Sequence, residues 1–286
     1  MGQTVRTRDG LALARRDWPS ANASGTIVIV HGLGEHIGRY AHVAARLNAS
    51  GWSVVGYDQR GHGSSPGERG RIAAADDLLA DLAAVIDAVR AEAGGPLVLL
   101  GHSLGGLVVA RFVAAGLESP RPAWQRDVAA LVLSSPALDI GMSAARRALL
   151  ATLETLTPNL GIGNGLDATG ISRDPAVVAA YRADPLVHDR IAPRLVRFLA
   201  DAGVEVRALA PRWQVPTLLL YAGSDRLVVP AGSAAFAFAA PKATVASREF
   251  APLFHEIFNE PEQDEVLSIL TAWLDTLTPL PTRSPR

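Results

Sequence analysis

The segment of this 286-residue chain best suited to covalent chemistry is Gly101-His102-Ser103-Leu104-Gly105, a G-x-S-x-G pattern. The four apolar residues Leu97 to Leu100 precede it, and Leu104, Leu107, Val108 and Phe112 follow at helical spacing. Strand, tight turn and helix in that order expose a serine hydroxyl above a sheet. Gly101 and Gly105 leave room for the turn, because a Cβ there would strike the neighbouring strand or helix. The Leu104 amide falls at the helix N-terminus, where unpaired N–H groups attract developing negative charge. A serine hydroxyl is protonated at neutral pH and needs an adjacent base. A histidine can take and return the proton, provided a carboxylate orients its ring.

Seven histidines compete for that role. Behind a serine of this kind the acid and then the base are expected in chain order, each in a loop at the carboxyl end of a strand. His255, between the last strand and the last helix, meets that condition. His31 and His62 precede the serine in glycine-bearing loops, and His102 should point away from Ser103. His36 and His42 read as loop and helix-surface residues, and His188 falls in an insertion. Asp225, in Gly223-Ser224-Asp225, follows the Leu218–Leu220 strand and is preferred as the acid over Asp139, which would cap the first helix of the insertion. Asp58 precedes the serine and reads as a tie for the Arg60–Gly63 turn. A tetrahedral oxyanion needs two donors: the Leu104 amide and, from the loop after the Ile27–Val30 strand, the amide of Leu33. That loop is no phosphate cradle, for it has neither G-x-G-x-x-G nor a Gly-Lys-Ser/Thr pair.

The elements that must position these groups read as apolar strands alternating with amphipathic helices, which predicts a mostly parallel α/β sheet covered on both faces. A hairpin is expected around Asp9-Gly10. The clearest helix spans 73–90, with Leu78, Leu82, Val85, Ile86 and Val89 on one face and Asp77, Asp81 and Asp87 off it. The last helix should start at Pro261 and bury Val266, Leu270, Trp273 and Leu277. Between 139 and 210 the alternation breaks into helical segments with no strand. The expected division is a core of 1–138 and 211–278, a helical cap of 139–210, and a flexible tail, 279–286. Gly161–Gly170 is a hinge candidate.

Forty-nine per cent of the residues are hydrophobic, the formal net charge is −1, and no basic run with interleaved aromatics appears, so nucleic acid is not an expected partner. Without cysteine there are no disulfides and no thiol nucleophile. No signal peptide and no apolar run near the roughly 20 residues of a bilayer span is found, and a cytoplasmic location is expected.

Taken together, several segments resemble the monoacylglycerol lipase and lysophospholipase branch of the α/β-hydrolase family. They are His31-Gly-Leu-Gly-Glu-His-Ile-Gly-Arg-Tyr40, Tyr57-Asp-Gln-Arg-Gly-His-Gly-Ser-Ser65, Gly101-His-Ser-Leu-Gly-Gly106, Ser172-Arg-Asp-Pro175, Asp184-Pro-Leu-Val-His188, Gly223-Ser-Asp225 and His255-Glu256. The resemblance implies an α/β-hydrolase fold with Ser103 as nucleophile, Asp225 as acid and His255 as base. It further implies Leu33 and Leu104 as oxyanion donors and the insertion as a cap, with no cofactor or metal. Glu35 and Arg39 match positions near the alcohol end of such pockets, where they could bind a glycerol head or only fix their own loop as an ion pair. Phe258 stands where some members carry a polar histidine, which leaves short-chain esters open as substrates.

The cap's apolar residues, Leu149, Leu150, Leu153, Leu156, Val177 and Val178, exceed what three short helices bury among themselves. Leu149, Leu153 and Val178 are therefore the expected wall of an acyl tunnel, with a rim that can touch a membrane surface. The expected activity is hydrolysis of a single-chain lipid ester through an acyl-enzyme on Ser103. A short-chain carboxylesterase or an acyltransferase would share the same residues. A proline-type aminopeptidase would instead need cap acids such as Glu154, Asp167 or Asp174. A non-catalytic ligand-binding module on the same fold is the rival from outside enzymes.

Overall fold

The protein is described by a computed structural model over residues 3–277; the expected tail of 279–286 lies outside the described residues. In chain order the first elements are β1 (Thr4–Arg6), β2 (Ala12–Trp18), β3 (Thr26–Val30), α1 (Ala41–Ala49), β4 (Ser53–Tyr57), α2 (Asp77–Glu92), β5 (Leu97–His102) and α3 (Leu104–Ala114). After β6 (Ala130–Ser134) come α4 (Ala144–Leu156), β7 (Ile162–Gly163), α5 (Pro175–Ala183), β8 (Arg190–Ile191) and α6 (Pro193–Leu209). The sheet then resumes with β9 (Thr217–Ala222), α7 (Pro230–Ala239), β10 (Val245–Phe250) and α8 (Gln263–Thr276).

Eight strands form one sheet in the order β1-β2-β4-β3-β5-β6-β9-β10. The β1–β2 and β2–β4 pairs are antiparallel, and β4-β3-β5-β6-β9-β10 run parallel. Alternate residues of each strand serve opposite faces. Val28 and Val30 of β3 join a core with α2, α3, α6 and α7, whereas Ile27 and Ile29 face the core under α1 and α8. The chain leaves β3 towards β4 and returns to β5 on its other side. That reversal opens a crevice at the carboxyl ends of β3 and β5, the place where such sheets bind ligands and where Leu33 and Ser103 lie.

Four expectations are revised. Asp77 and Asp81 are buried rather than off the packed face of α2, because Arg60 reaches both, at 3.0 Å and 2.6 Å. α8 begins at Gln263 and buries Leu267 and Leu274, leaving Trp273 and Leu277 half-buried. The segment between β6 and β9 does hold strand, the two-residue ribbon β7–β8. Its last helix, α6, packs against α3 and places Leu195, Phe198, Leu199 and Val206 in the main core. Among the described residues no helix is long and apolar enough to cross a membrane.

Candidate active site

Ser103 sits between β5 and α3 with φ 53° and ψ −119°. A non-glycine residue in that region stores roughly 1–3 kcal/mol and persists only where its surroundings hold it. They do: Ser103 N–H donates to the Ser134 carbonyl at 3.1 Å, and the Ser103 carbonyl accepts from Leu107 and Ala137, both at 3.0 Å. The flanking glycines are required sterically. A Cβ on Gly105 would run into the Val30 and His31 carbonyls, and one on Gly101 into the Gly105 carbonyl and Val109.

Asp225 and His255 converge from the loops after β9 and β10, with His255 Nδ1 at 2.6 Å from Asp225 Oδ2. The other carboxylate oxygen accepts from the Leu227 and Val228 amides at 2.8 Å and 3.0 Å, which fixes the carboxylate plane. The base loop is held by the Glu256 amide on the Ile171 carbonyl at 2.8 Å. Burial alone would lower the pKa of the His255 ring, but the Asp225 charge and hydrogen bond outweigh it, and the pKa is raised. Burial likewise opposes ionisation of Asp225, yet the His255 charge and the two amides keep its carboxyl below the usual value. Ser103 and His255 line the same cavity. No Ser103–His255 hydrogen bond forms among the described residues, and such bonds are commonly long before substrate arrives.

Leu33 and Leu104 flank Ser103 in an apolar pocket of about 200 Å³. Neither amide is engaged by a carbonyl among the described residues. A second cavity of about 350 Å³, mixed in lining but richer in polar groups, shares Leu33, Ser103, Asn164, Leu166 and Leu227 with that pocket, so the two are lobes of one cleft meeting at the serine. The polar lobe is lined by Glu35, His102, Tyr181, Asp184, His188 and Glu256, among others.

The rejected candidates have other duties. Asp139 accepts from the Gly141 amide at 2.8 Å and faces Arg207 at 3.5 Å. Asp58 ties the Ile37 and Ser64 amides together at 2.8 Å each. His31 accepts from the Gln59 amide at 2.9 Å, and His62 meets the Arg60 carbonyl at 2.9 Å. His102 packs its ring on that of His255 at 4.7 Å and turns Nδ1 to the Ser134 carbonyl at 3.1 Å. Burial and the His255 charge pull His102 to about 3, so it stays neutral behind the base.

The expected acyl wall is not where the sequence put it. Leu149 is 59% exposed, Leu153 and Val178 line neither lobe, and Val178 borders a separate surface cleft beside Phe254. The apolar lobe is walled by Ile140, Ile191, Val196 and Leu199, so α6 and not α4 supplies a helical wall beside the serine. Glu35 lines the polar lobe, whereas Arg39 does not. Arg39 is held by Glu35 at 2.6 Å and by both oxygens of Glu256 at 2.6 Å and 2.7 Å, and its guanidinium lies 4.8 Å from the Tyr181 ring centre. Phe258 is buried in the core beneath α8 rather than at the cleft. Reasoning from sequence missed His188, Tyr181 and Leu166 as lining residues. Only His188 carried a signal, at the end of the Asp184-Pro-Leu-Val-His188 match.

The serine aminopeptidase S33 family matches residues 21–262. A monoacylglycerol lipase of Mycolicibacterium smegmatis is 36% identical over 260 residues, 90% of either chain. The chain belongs to the monoacylglycerol lipase branch of the α/β-hydrolases. A Bacillus subtilis phospholipase is 31% identical over 264 residues, covering 90% of this chain and 98% of its own. The crystal structure of a Paleococcus ferrophilus monoacylglycerol lipase superposes with a TM-score of 0.81 at 35% identity, over 93% of this chain and 99% of that one.

Proposed function

We infer that this hydrolase cleaves monoacylglycerol-like, single-chain esters by a two-step serine mechanism. The observation that supports the reading is the two-lobed cleft meeting at Ser103, apolar on one side and richer in polar groups on the other. An ester with one alkyl chain and one hydroxylated head divides the same way. His255 takes the Ser103 proton as Oγ attacks the carbonyl, and Asp225 stabilises the imidazolium that forms. The Leu33 and Leu104 amides receive the oxyanion, each worth about 2.7–4 kcal/mol in the transition state. His255 then protonates the leaving alcohol. Water, activated by the same ring, releases the fatty acid and restores Ser103.

The exposed Leu149, Leu156, Leu160, Ile162 and Leu166 on and after α4 form the side of the molecule that meets a lipid surface. Leu166 also borders the cleft, which gives substrate a short apolar route from that surface to the serine.

A hydrolysis panel of monoacylglycerols, lysophospholipids, p-nitrophenyl esters and prolyl amides tests the reading, with Ser103→Ala as control. Monoacylglycerols should be preferred, with higher turnover from liposomes than from free solution, and Ser103→Ala should abolish turnover while keeping the fold. Preference for prolyl amides, or wild-type turnover by Ser103→Ala, would overturn it; equal turnover of free and liposomal substrate would remove the surface contact.

A further inference from the structure

We propose that Glu35 is a positioning residue of the oxyanion hole, and that Arg39 locks it to the base loop, so that neither serves to bind the substrate's head group. The inference rests on the oxyanion role of Leu33. Glu35 Oε1 accepts from the Gly32 amide at 2.5 Å and from the Tyr40 hydroxyl at 2.7 Å, and Oε2 accepts from Arg39 at 2.6 Å. Gly32 is the residue immediately before Leu33, and the next peptide plane carries the Leu33 amide. Glu35 thus fixes the plane before Gly32, and the His31 Nδ1–H donating to the Gly32 carbonyl at 2.8 Å fixes the plane after it, the one that carries the Leu33 amide. Glu35 borders the polar lobe but is only 3% exposed, and these three bonds occupy its oxygens.

Arg39 carries the arrangement across the cleft. Its remaining contacts are the two-pronged pair with Glu256, the residue after His255, and the Tyr181 ring on α5. One guanidinium thus couples three pieces: the loop that bears the oxyanion donor, the loop that bears the base, and the segment above them. Two buried carboxylates would repel each other strongly, and Arg39 between them removes that cost while its planar fork fixes their spacing. These bonds use three of the five guanidinium N–H donors, and Arg39 does not line the cleft in which a glycerol hydroxyl would sit.

The test compares Glu35→Ala and Glu35→Gln with the wild type on two esters of one acyl chain, a monoacylglycerol and its p-nitrophenyl counterpart. Thermal unfolding of each variant is followed alongside. If Glu35 positions the hole, kcat falls by about 10²-fold on both esters with KM unchanged. Inhibition by an alkyl trifluoromethyl ketone, which forms a tetrahedral oxyanion on the serine, weakens by the same factor. Glu35→Gln recovers part of the loss, since an amide oxygen can still accept from Gly32. Arg39→Lys, a variant that keeps the charge but not the fork, should lower kcat equally on both esters. A rise in KM confined to the monoacylglycerol, with the p-nitrophenyl ester untouched, would overturn the proposal in favour of head-group binding. Absence of ester turnover by the wild type would instead strike the parent reading.

Discussion

Replacing Asp225 by Asn tests the arrangement of the base most sharply, because the structure dictates how the new amide must sit. Asp225 Oδ1 is held by the Leu227 and Val228 amides at 2.8 Å and 3.0 Å. Those donors will keep the asparagine oxygen on their side and turn its NH₂ towards His255 Nδ1, now 2.6 Å from a carboxylate oxygen. An NH₂ there donates to Nδ1 and leaves the ring proton on Nε2. In that tautomer Nε2 cannot accept the Ser103 proton. The expected loss in kcat is about 10⁴-fold, or roughly 5.5 kcal/mol of transition-state stabilisation.

The pH profile supplies an independent check. His255 must be neutral to act, and its pKa lies above 6.5 because Asp225 overrides the effect of burial. The acid limb of kcat/KM in the wild type should therefore fall above pH 6.5 and reflect loss of activity as His255 gains a proton. Without the carboxylate, burial dominates over the weaker pulls of Glu256 and Glu35, and the limb of the residual activity moves down in pH. Stopped-flow or steady-state release of p-nitrophenol between about pH 5 and 9 reads both effects. A loss below tenfold, or an acid limb that stays put or moves up, would refute the tautomer argument.

Two further outcomes follow from packing. Leu199→Ala enlarges the end of the apolar lobe formed by α6, and the preferred acyl chain should lengthen by about two methylenes in a p-nitrophenyl ester series; an unchanged optimum would show that the chain does not run against α6. Asp81→Ala strips the two bonds at 2.6 Å and 2.7 Å from buried Arg60 and should cost about 3 kcal/mol in urea unfolding. That value is at the low end for a broken buried pair because Asp77 and Asp9 remain at 3.0 Å and 3.1 Å; a change below about 1 kcal/mol would contradict it.

The serine turn, the parallel sheet and the alternation of its helices could be read from sequence because each is a local signal: glycines at fixed offsets, an apolar run, a 3.6-residue period. Chain order together with placement at the carboxyl ends of strands singled out Asp225 and His255, whose hydrogen bond spans 30 residues. What sequence hid depends on partners distant in the chain. The leucines of α4 do make one apolar face, but a period reports that a face exists and not what covers it: of the expected wall residues on α4, Leu149 is exposed and Leu153 lines neither lobe. Asp77 and Asp81 look like solvent-facing acids until Arg60 is brought to them by the turn after β4. Arg39 meets Glu256 across 217 residues, and no spacing rule reaches that far.

The division of labour between α4 and α6 has a consequence for how selectivity can change. Leu199 is buried in the main core and also lines the apolar lobe. A substitution there alters chain-length preference only by disturbing packing that stabilises the fold, at about 2–5 kcal/mol for a leucine cut to alanine. The exposed leucines of α4 carry no such cost, since little is packed against Leu149 or Leu156. The proposed surface contact of α4 can thus be tuned by single exposed substitutions, whereas acyl length is tied to the integrity of α6 and its partner α3. Because α3 begins at the Leu104 amide beside Ser103, any shift of α6 large enough to reshape the pocket presses on the helix whose first amide is the proposed oxyanion donor. Chain-length variants of this enzyme should therefore lose kcat together with stability, while α4 variants lose neither on water-soluble esters.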